Sequence, residues 1–188
     1  AEGRDGLAES AYFLAVNRNK RSLVLDLKDP TDRALAHELV ARSDALIHNF
    51  KHGDDARLGL DFGSAQALNP HIVYCAVSGF GGSGPDADKP GYDLLAQALT
   101  GFMSITGPPE GEGYKVGVAV VDVLAGLNAA LGILAALYAN RSEPRARLVE
   151  TSLLETGLSA LVNVASGYLV TGRAPKRQGN AHASIVPY

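Results

Sequence analysis

The feature that most limits how this chain can fold is the run "VAVVDVLAGLNAALGILAALYA", Val118 to Ala139, which is apolar almost throughout yet carries one acid, Asp122, near its start. Three readings compete for it: a membrane span, a core helix capped by its own acid, or a helix presenting a reactive carboxylate. From Val123 onward the run falls short of the ~20 apolar residues that cross a bilayer comfortably. Asn128, Gly126, Gly132 and repeated alanines dilute it, and no aromatic belt flanks both ends. Small residues along its length instead predict a helix packed closely on all sides within a soluble domain, so no membrane is expected.

The remainder of the chain supports a globular reading. Its 188 residues are 46% hydrophobic and 20% charged, enough for one sizeable core. The net charge of -3, with both signs interspersed, leaves no broad basic field for nucleic acid or anionic lipid. "NRNKR" at 17–21 reads as a solvated strand entrance. A lone Cys75 inside "HIVYCAVSG" excludes an intrachain disulfide and points to a reducing compartment, with the cytoplasm expected and the mitochondrion and peroxisome left open. The opening "AEGRDG" and closing "IVPY" read as cuts through a longer protein.

Strands and helices alternate, as an α/β domain with a parallel sheet requires. The pattern predicts a strand at 21–27, a helix at 31–42 started by Asp29-Pro30, and a second strand in "DALIHNF". Short helices follow near 54–58 and 64–68, then the most continuous apolar strand at 71–79. Beyond the loop "GFGGSGPDADKPG" a helix is expected at 92–103, the long helix at about 122–140, a strand in "ARLVETSL", and a last helix to about Tyr168. Residues 1–172 form the expected domain, and 173–188 the start of a linker leaving it.

One motif invites over-reading. "GFGGSG" at 79–84 matches a dinucleotide-binding glycine pattern, but Pro85 and Pro90 stand where a helix should open, and no acid ends a further strand about twenty positions on. The histidines show no metal spacing, and no G-x-S-x-G elbow is present. A carboxylate remains as the candidate reactive group. Asp122, at a helix start, fits both a cap and a nucleophile, and the helix end would favour its anion and hold its pKa low.

The blocks "YFLAVNRNKRSLVLDLKDP", "NFKHGDDARLGLD", "NPHIVYCAVSGFGGSGP", "KPGYDLLAQALTGFMSITG", "VGVAVVDVLAGLNAALGILAAL" and "GNAHASIVPY" tile nearly the whole chain. In that order they resemble the family III, or CaiB/BaiF, CoA-transferases, which include formyl-CoA transferase. The resemblance implies the central part of a Rossmann-like large domain, a parallel sheet with flanking helices. A βαβ unit would precede it and a smaller domain follow it, in a homodimer of interlocked chains. It places the catalytic aspartate on Asp122. The implied reaction moves CoA from an acyl-CoA to a free carboxylic acid through a covalent aspartyl intermediate, with CoA as substrate, no resident cofactor and no metal.

Residue by residue, the resemblance carries CoA contacts onto Leu25, Lys28, Asn49, Phe50, Arg57, Leu58 and Lys89, and acid-pocket positions onto Tyr12, Tyr92 and Asp93. Taken alone, Lys28 and Arg57 read as surface charges, Tyr12 as a core residue and Asp93 as a helix-start acid. Gly126, one turn beyond Asp122, would let a thioester approach the backbone. An α-methylacyl-CoA racemase shares the fold and CoA site but uses a histidine where Tyr92 stands, and tyrosine is a poor base at neutral pH. A non-catalytic CoA-binding module is the reading from a different class.

Overall fold

The computed structural model describes residues 10–182 together with Ile185 and Pro187; residues 1–9 of the expected domain and 183, 184, 186 and 188 of the expected linker lie outside the described residues. In chain order the elements are α1 (Ala11–Val16), α2 (Pro30–Ala41), β1 (Ala45–His48), α3 (Asp54–Leu58), α4 (Phe62–Leu68), β2 (Val73–Ser78) and α5 (Asp93–Thr100). They continue with α6 (Phe102–Ile105), α7 (Val120–Ala139), β3 (Arg147–Ser152), α8 (Leu153–Ala160) and α9 (Val162–Thr171).

Several helices begin where a side chain satisfies free backbone N–H groups. Asp29 accepts from the Thr31 and Asp32 N–H groups at 2.8 and 3.1 Å, with Pro30 in the first turn of α2. Asp61 accepts from the Ser64 N–H at 3.2 Å to start α4. Buried Ser152 accepts from the Glu155 N–H at 3.1 Å and donates its hydroxyl to the Glu155 carboxylate at 2.8 Å, closing the first turn of α8.

The strands form one parallel sheet in the order β1-β2-β3. Ala45 pairs with Val73 and His48 with Ala76 on one side of β2, while Val73 pairs with Arg147 and Ser78 with Ser152 on the other. A central parallel strand is covered on both faces, which accounts for the unbroken apolar run of β2 and the complete burial of Ile72, Val73 and Cys75. One core cluster gathers Val40, Leu60, Ala65, Ile72 and Tyr74 between α2, α4 and β2. A second joins Ala96, Val121, Ala125 and Leu153 where α5, α7 and α8 meet. The mixed α/β fold expected from the sequence is present.

α7 departs from its expected environment. Only one stripe is buried: Val121, Ala125, Ala129 and Ala136, with Gly132 so close to the sheet that a Cβ there would lie 2.6 Å from the Val149 Cγ1. Val123, Leu127, Leu131, Leu134 and Tyr138 form an exposed stripe on the opposite side. The helix is therefore packed on one face rather than on all sides, and by length and composition alone it is long and apolar enough to cross a membrane.

Other boundaries moved for local reasons. Residues 21–27, expected as a strand, do not form one: Leu23 and Val24 are exposed, and no segment among the described residues pairs with them. Apolar composition gives strand preference, but a strand exists only in a ladder. The helix expected at 92–103 breaks at Gly101, whose φ of 97° is left-handed and separates α5 from α6. The expected last helix divides into α8 and α9, bent by 78°. α1, where no element was expected, carries Tyr12. The expected linker folds back, with the Arg177 Nε donating to the Pro108 carbonyl at 3.1 Å and the Gly179 N–H to the Gly107 carbonyl at 3.1 Å.

Candidate active site

The C-terminal ends of the parallel strands converge on a cavity of about 580 Å³. Asn49 and Phe50 reach it just beyond β1, Ser78 and Gly79 at the end of β2, and Leu153 directly after β3. Such an edge is where open α/β sheets bind ligands, and the volume suits a ligand of moderate size. Asp122 and Gly126, one turn apart on α7, line the cavity together with Lys89 and Tyr92.

The loop carrying Lys89 and Tyr92 is closed by glycines. A Cβ at Gly79 would lie 2.5 Å from the Gly91 Cα, so the two backbones meet where side chains cannot. This contact ties the loop "FGGSGPDADKP" to the end of β2 and holds Tyr92, the N-cap of α5, at the cavity rim. The glycine pattern that resembled a dinucleotide site thus serves a loop closure.

Asp122 occupies the first turn of α7, two residues inside its start, so it is not the N-cap. Ala119 holds that position and has no side chain to offer the free N–H groups. Asp93 supplies the missing acceptor from α5: its Oδ1 accepts from the Val121 N–H at 2.8 Å and, more weakly, from the Asp122 N–H at 3.4 Å. Its Oδ2 accepts from the Gln97 Nε2 at 2.6 Å. Asp93 is not among the residues lining the cavity; it stands behind Asp122.

The electrostatics differ from the sequence expectation. Partial burial pushes the Asp122 carboxyl above the usual carboxylate range, and the negative charge of Asp93 adds to the effect. The helix end does not hold it low, because a second carboxylate already occupies the free N–H groups. Nearby, burial lowers the His48 imidazole pKa. The His48 Nδ1 accepts from the Phe50 N–H at 3.2 Å, and its ring stacks on Phe50 with centroids 4.9 Å apart. Burial raises the Cys75 thiol, as befits a core residue.

Of the residues singled out in the sequence, Asn49, Phe50, Lys89, Tyr92 and Asp122 share this cavity. Leu25, Lys28, Arg57, Leu58 and Tyr12 are not among its lining. Leu58 packs against the first core cluster, Leu25 is half-buried, Lys28 is exposed, and Tyr12 lies exposed on α1. Arg57 pairs with Asp54 at 3.0 Å and Lys89 with Asp86 at 2.6 Å. Exposed pairs of this kind contribute about 0–1 kcal/mol, so either cation can exchange its partner for a phosphate at little cost. Lys51 and His52, unremarked in the sequence, also line the cavity. Among the described residues no three His, Cys, Asp or Glu side chains group as a metal ion would require.

Comparison with known proteins is consistent with this geometry. The family described as CoA-transferase family III matches residues 2–188. The chain is 45% identical over 179 residues to a succinate–glutarate CoA-transferase of Agrobacterium fabrum, covering 95% of this chain and 45% of that protein. It is 39% identical over 180 residues to a succinyl-CoA:glutarate CoA-transferase of Mus musculus, covering 96% and 41%. Among solved structures, a CaiB/BaiF family protein from Brucella suis superposes with a TM-score of 0.93 at 40% identity, covering 98% of this chain and 49% of that one. The chain therefore spans about half the length of the relatives it matches.

Proposed function

Because the chain belongs to CoA-transferase family III, we propose that the full-length protein transfers CoA from an acyl-CoA to a free carboxylic acid, with Asp122 as the nucleophile. The observation that carries this reading is the placement of Asp122 in one cavity with Asn49, Phe50, Lys89 and Tyr92. The names of the relatives point to dicarboxylic acids, succinate and glutarate among them, as the substrate class.

In the proposed reaction the Asp122 carboxylate attacks the thioester carbonyl, and the carbon–sulfur bond breaks to leave an acyl–aspartyl anhydride and the CoA thiolate. The thiolate then attacks the aspartyl carbonyl, releasing the donor as a carboxylate and leaving an aspartyl-CoA thioester. The acceptor carboxylate repeats the exchange in reverse order, so the thioester's free energy is retained. The exposure of Asp122 at the cavity supports the role, since an entering thioester can reach its carboxylate. The apolar start of α7 and Leu153 help to limit water around the anhydride. Asn49, Phe50 and Lys89 are proposed to hold CoA, with Leu25, Lys28, Arg57 and Leu58 extending that surface, and Tyr92 to orient the acyl group.

The exposed apolar stripe of α7 supports the proposal that it is covered in the full-length assembly, the interlocked homodimer implied by the family resemblance. Lone, buried Cys75 supports a reducing, cytoplasmic location. Residues 1–172 are proposed as part of the large domain.

The test is an assay of the full-length protein with succinyl-CoA and glutarate. Glutaryl-CoA should form, and Asp122→Ala should abolish its formation while leaving CoA binding largely intact, because a lost nucleophile affects the chemical step. Rapid deuterium uptake into a 2-methylacyl-CoA without any acceptor acid would identify a racemase. CoA binding with neither reaction would identify a non-catalytic module.

A further inference from the structure

A glutamine with no exposed surface requires an explanation, since an amide buried without partners is costly. Gln97, on α5, is fully buried and well satisfied. Its Nε2 donates to the Asp93 Oδ2 at 2.6 Å, and its Oε1 accepts from the Val116 N–H at 2.8 Å. One side chain thus holds both the Asp93 carboxylate and the segment that leads into α7. Asp93, fixed in this way, presents Oδ1 to the Val121 and Asp122 N–H groups and caps a helix that its own N-cap, Ala119, cannot cap.

We infer that Gln97 is a positioning residue for Asp122: with Asp93 it sets where α7 begins, fixes how the Asp122 carboxylate enters the cavity, and keeps a negative charge beside it. The inference rests on the reading of Asp122 as nucleophile. Other charged or titratable groups of the cavity wall are Lys51 and His52 beyond β1, and Asp88, Lys89 and Tyr92 on the glycine-closed loop. Lys89 is already paired with Asp86. Asp93 is distinguished from all of these by its direct hydrogen bonds to the backbone of α7.

Three variants of the full-length protein, assayed with succinyl-CoA and glutarate, test this. Gln97→Met conserves volume but removes the hydrogen bonds to Asp93, Val116 and the Val118 carbonyl. It should lower kcat by about 10- to 100-fold, the range that a small misplacement of a reacting group produces, and leave the KM for acyl-CoA within about threefold. Asp93→Asn keeps an acceptor for the α7 cap but removes the charge. The acid limb of its kcat–pH profile should move to lower pH, because Asp122 then loses its proton more easily. Combining Asp93→Asn with Gln97→Glu exchanges donor and acceptor and should recover part of the kcat lost by Asp93→Asn alone.

An unchanged kcat in Gln97→Met, or an acid limb in Asp93→Asn that does not move, would overturn the inference. Should Gln97→Met fail to fold, the pH profile of Asp93→Asn decides alone. If the unmodified protein forms no covalent adduct on Asp122, the nucleophile reading falls and this inference with it. An adduct with an unmoved acid limb removes the inference only.

Discussion

The Asp122 carboxyl combines partial desolvation with a neighbouring like charge. Its pKa is raised by burial and by Asp93, so ionising it in the folded protein costs more than in the unfolded chain. That penalty is fully present above the folded pKa and disappears as pH falls through the folded value toward the ordinary carboxylate range. Asp122→Asn should therefore raise the urea midpoint at neutral pH, by an amount that shrinks on acidification; a gain that grew at low pH would contradict this account. Tyr92, exposed at the rim, offers one hydroxyl. Tyr92→Phe should reduce transfer only moderately, since a neutral hydrogen bond contributes about 0.5–1.5 kcal/mol net. A loss of several orders of magnitude, read from kcat/KM, would make Tyr92 an acid or base.

α7 meets two environments through two glycines. A Cβ at Gly126 would meet nothing within 4 Å, whereas one at Gly132 would lie 2.6 Å from the Val149 Cγ1. Gly126→Ala should stabilise the protein by up to about 1 kcal/mol through helix propensity, yet impair transfer by placing a methyl group in the cavity. Gly132→Ala should lose stability, because overpacking costs about 1–3 kcal/mol against that same gain. Urea denaturation of the two variants checks the ordering, and equal midpoints would contradict the packing described. Elements defined by local chemistry were legible in the sequence: Asp29-Pro30 marked a helix start, and the unbroken apolar run marked β2. Features depending on distant partners were not. Residues 21–26 have strand composition but no ladder. Gln97 reads as an ordinary polar helix residue until Val116 and Asp93 are seen around it. The Asp93 cap on α7 joins residues far apart in sequence. Six of the ten positions carried over for CoA and the acid pocket, Leu25, Lys28, Arg57, Leu58, Tyr12 and Asp93, are not among the residues lining the cavity, since family motifs give alignment and not distance.

At the scale of the whole molecule, α7 carries an exposed apolar stripe, proposed above to be covered in the full-length assembly. Leu131 lies at its middle and is well exposed here. In the full-length protein Leu131→Glu should lower the thermal midpoint clearly, because a charge would be buried in an apolar contact. A change within the about 0.5 kcal/mol typical of surface substitutions would show the stripe to be open to solvent. The central claim, that Asp122 attacks the thioester, is tested most directly by mass spectrometry of the full-length protein mixed with succinyl-CoA without acceptor acid, followed by peptide mapping. The expected result is an aspartyl-CoA adduct on the peptide containing Asp122, absent from Asp122→Ala. Turnover of succinyl-CoA and glutarate with no adduct at Asp122, or with one on another carboxylate, would contradict it.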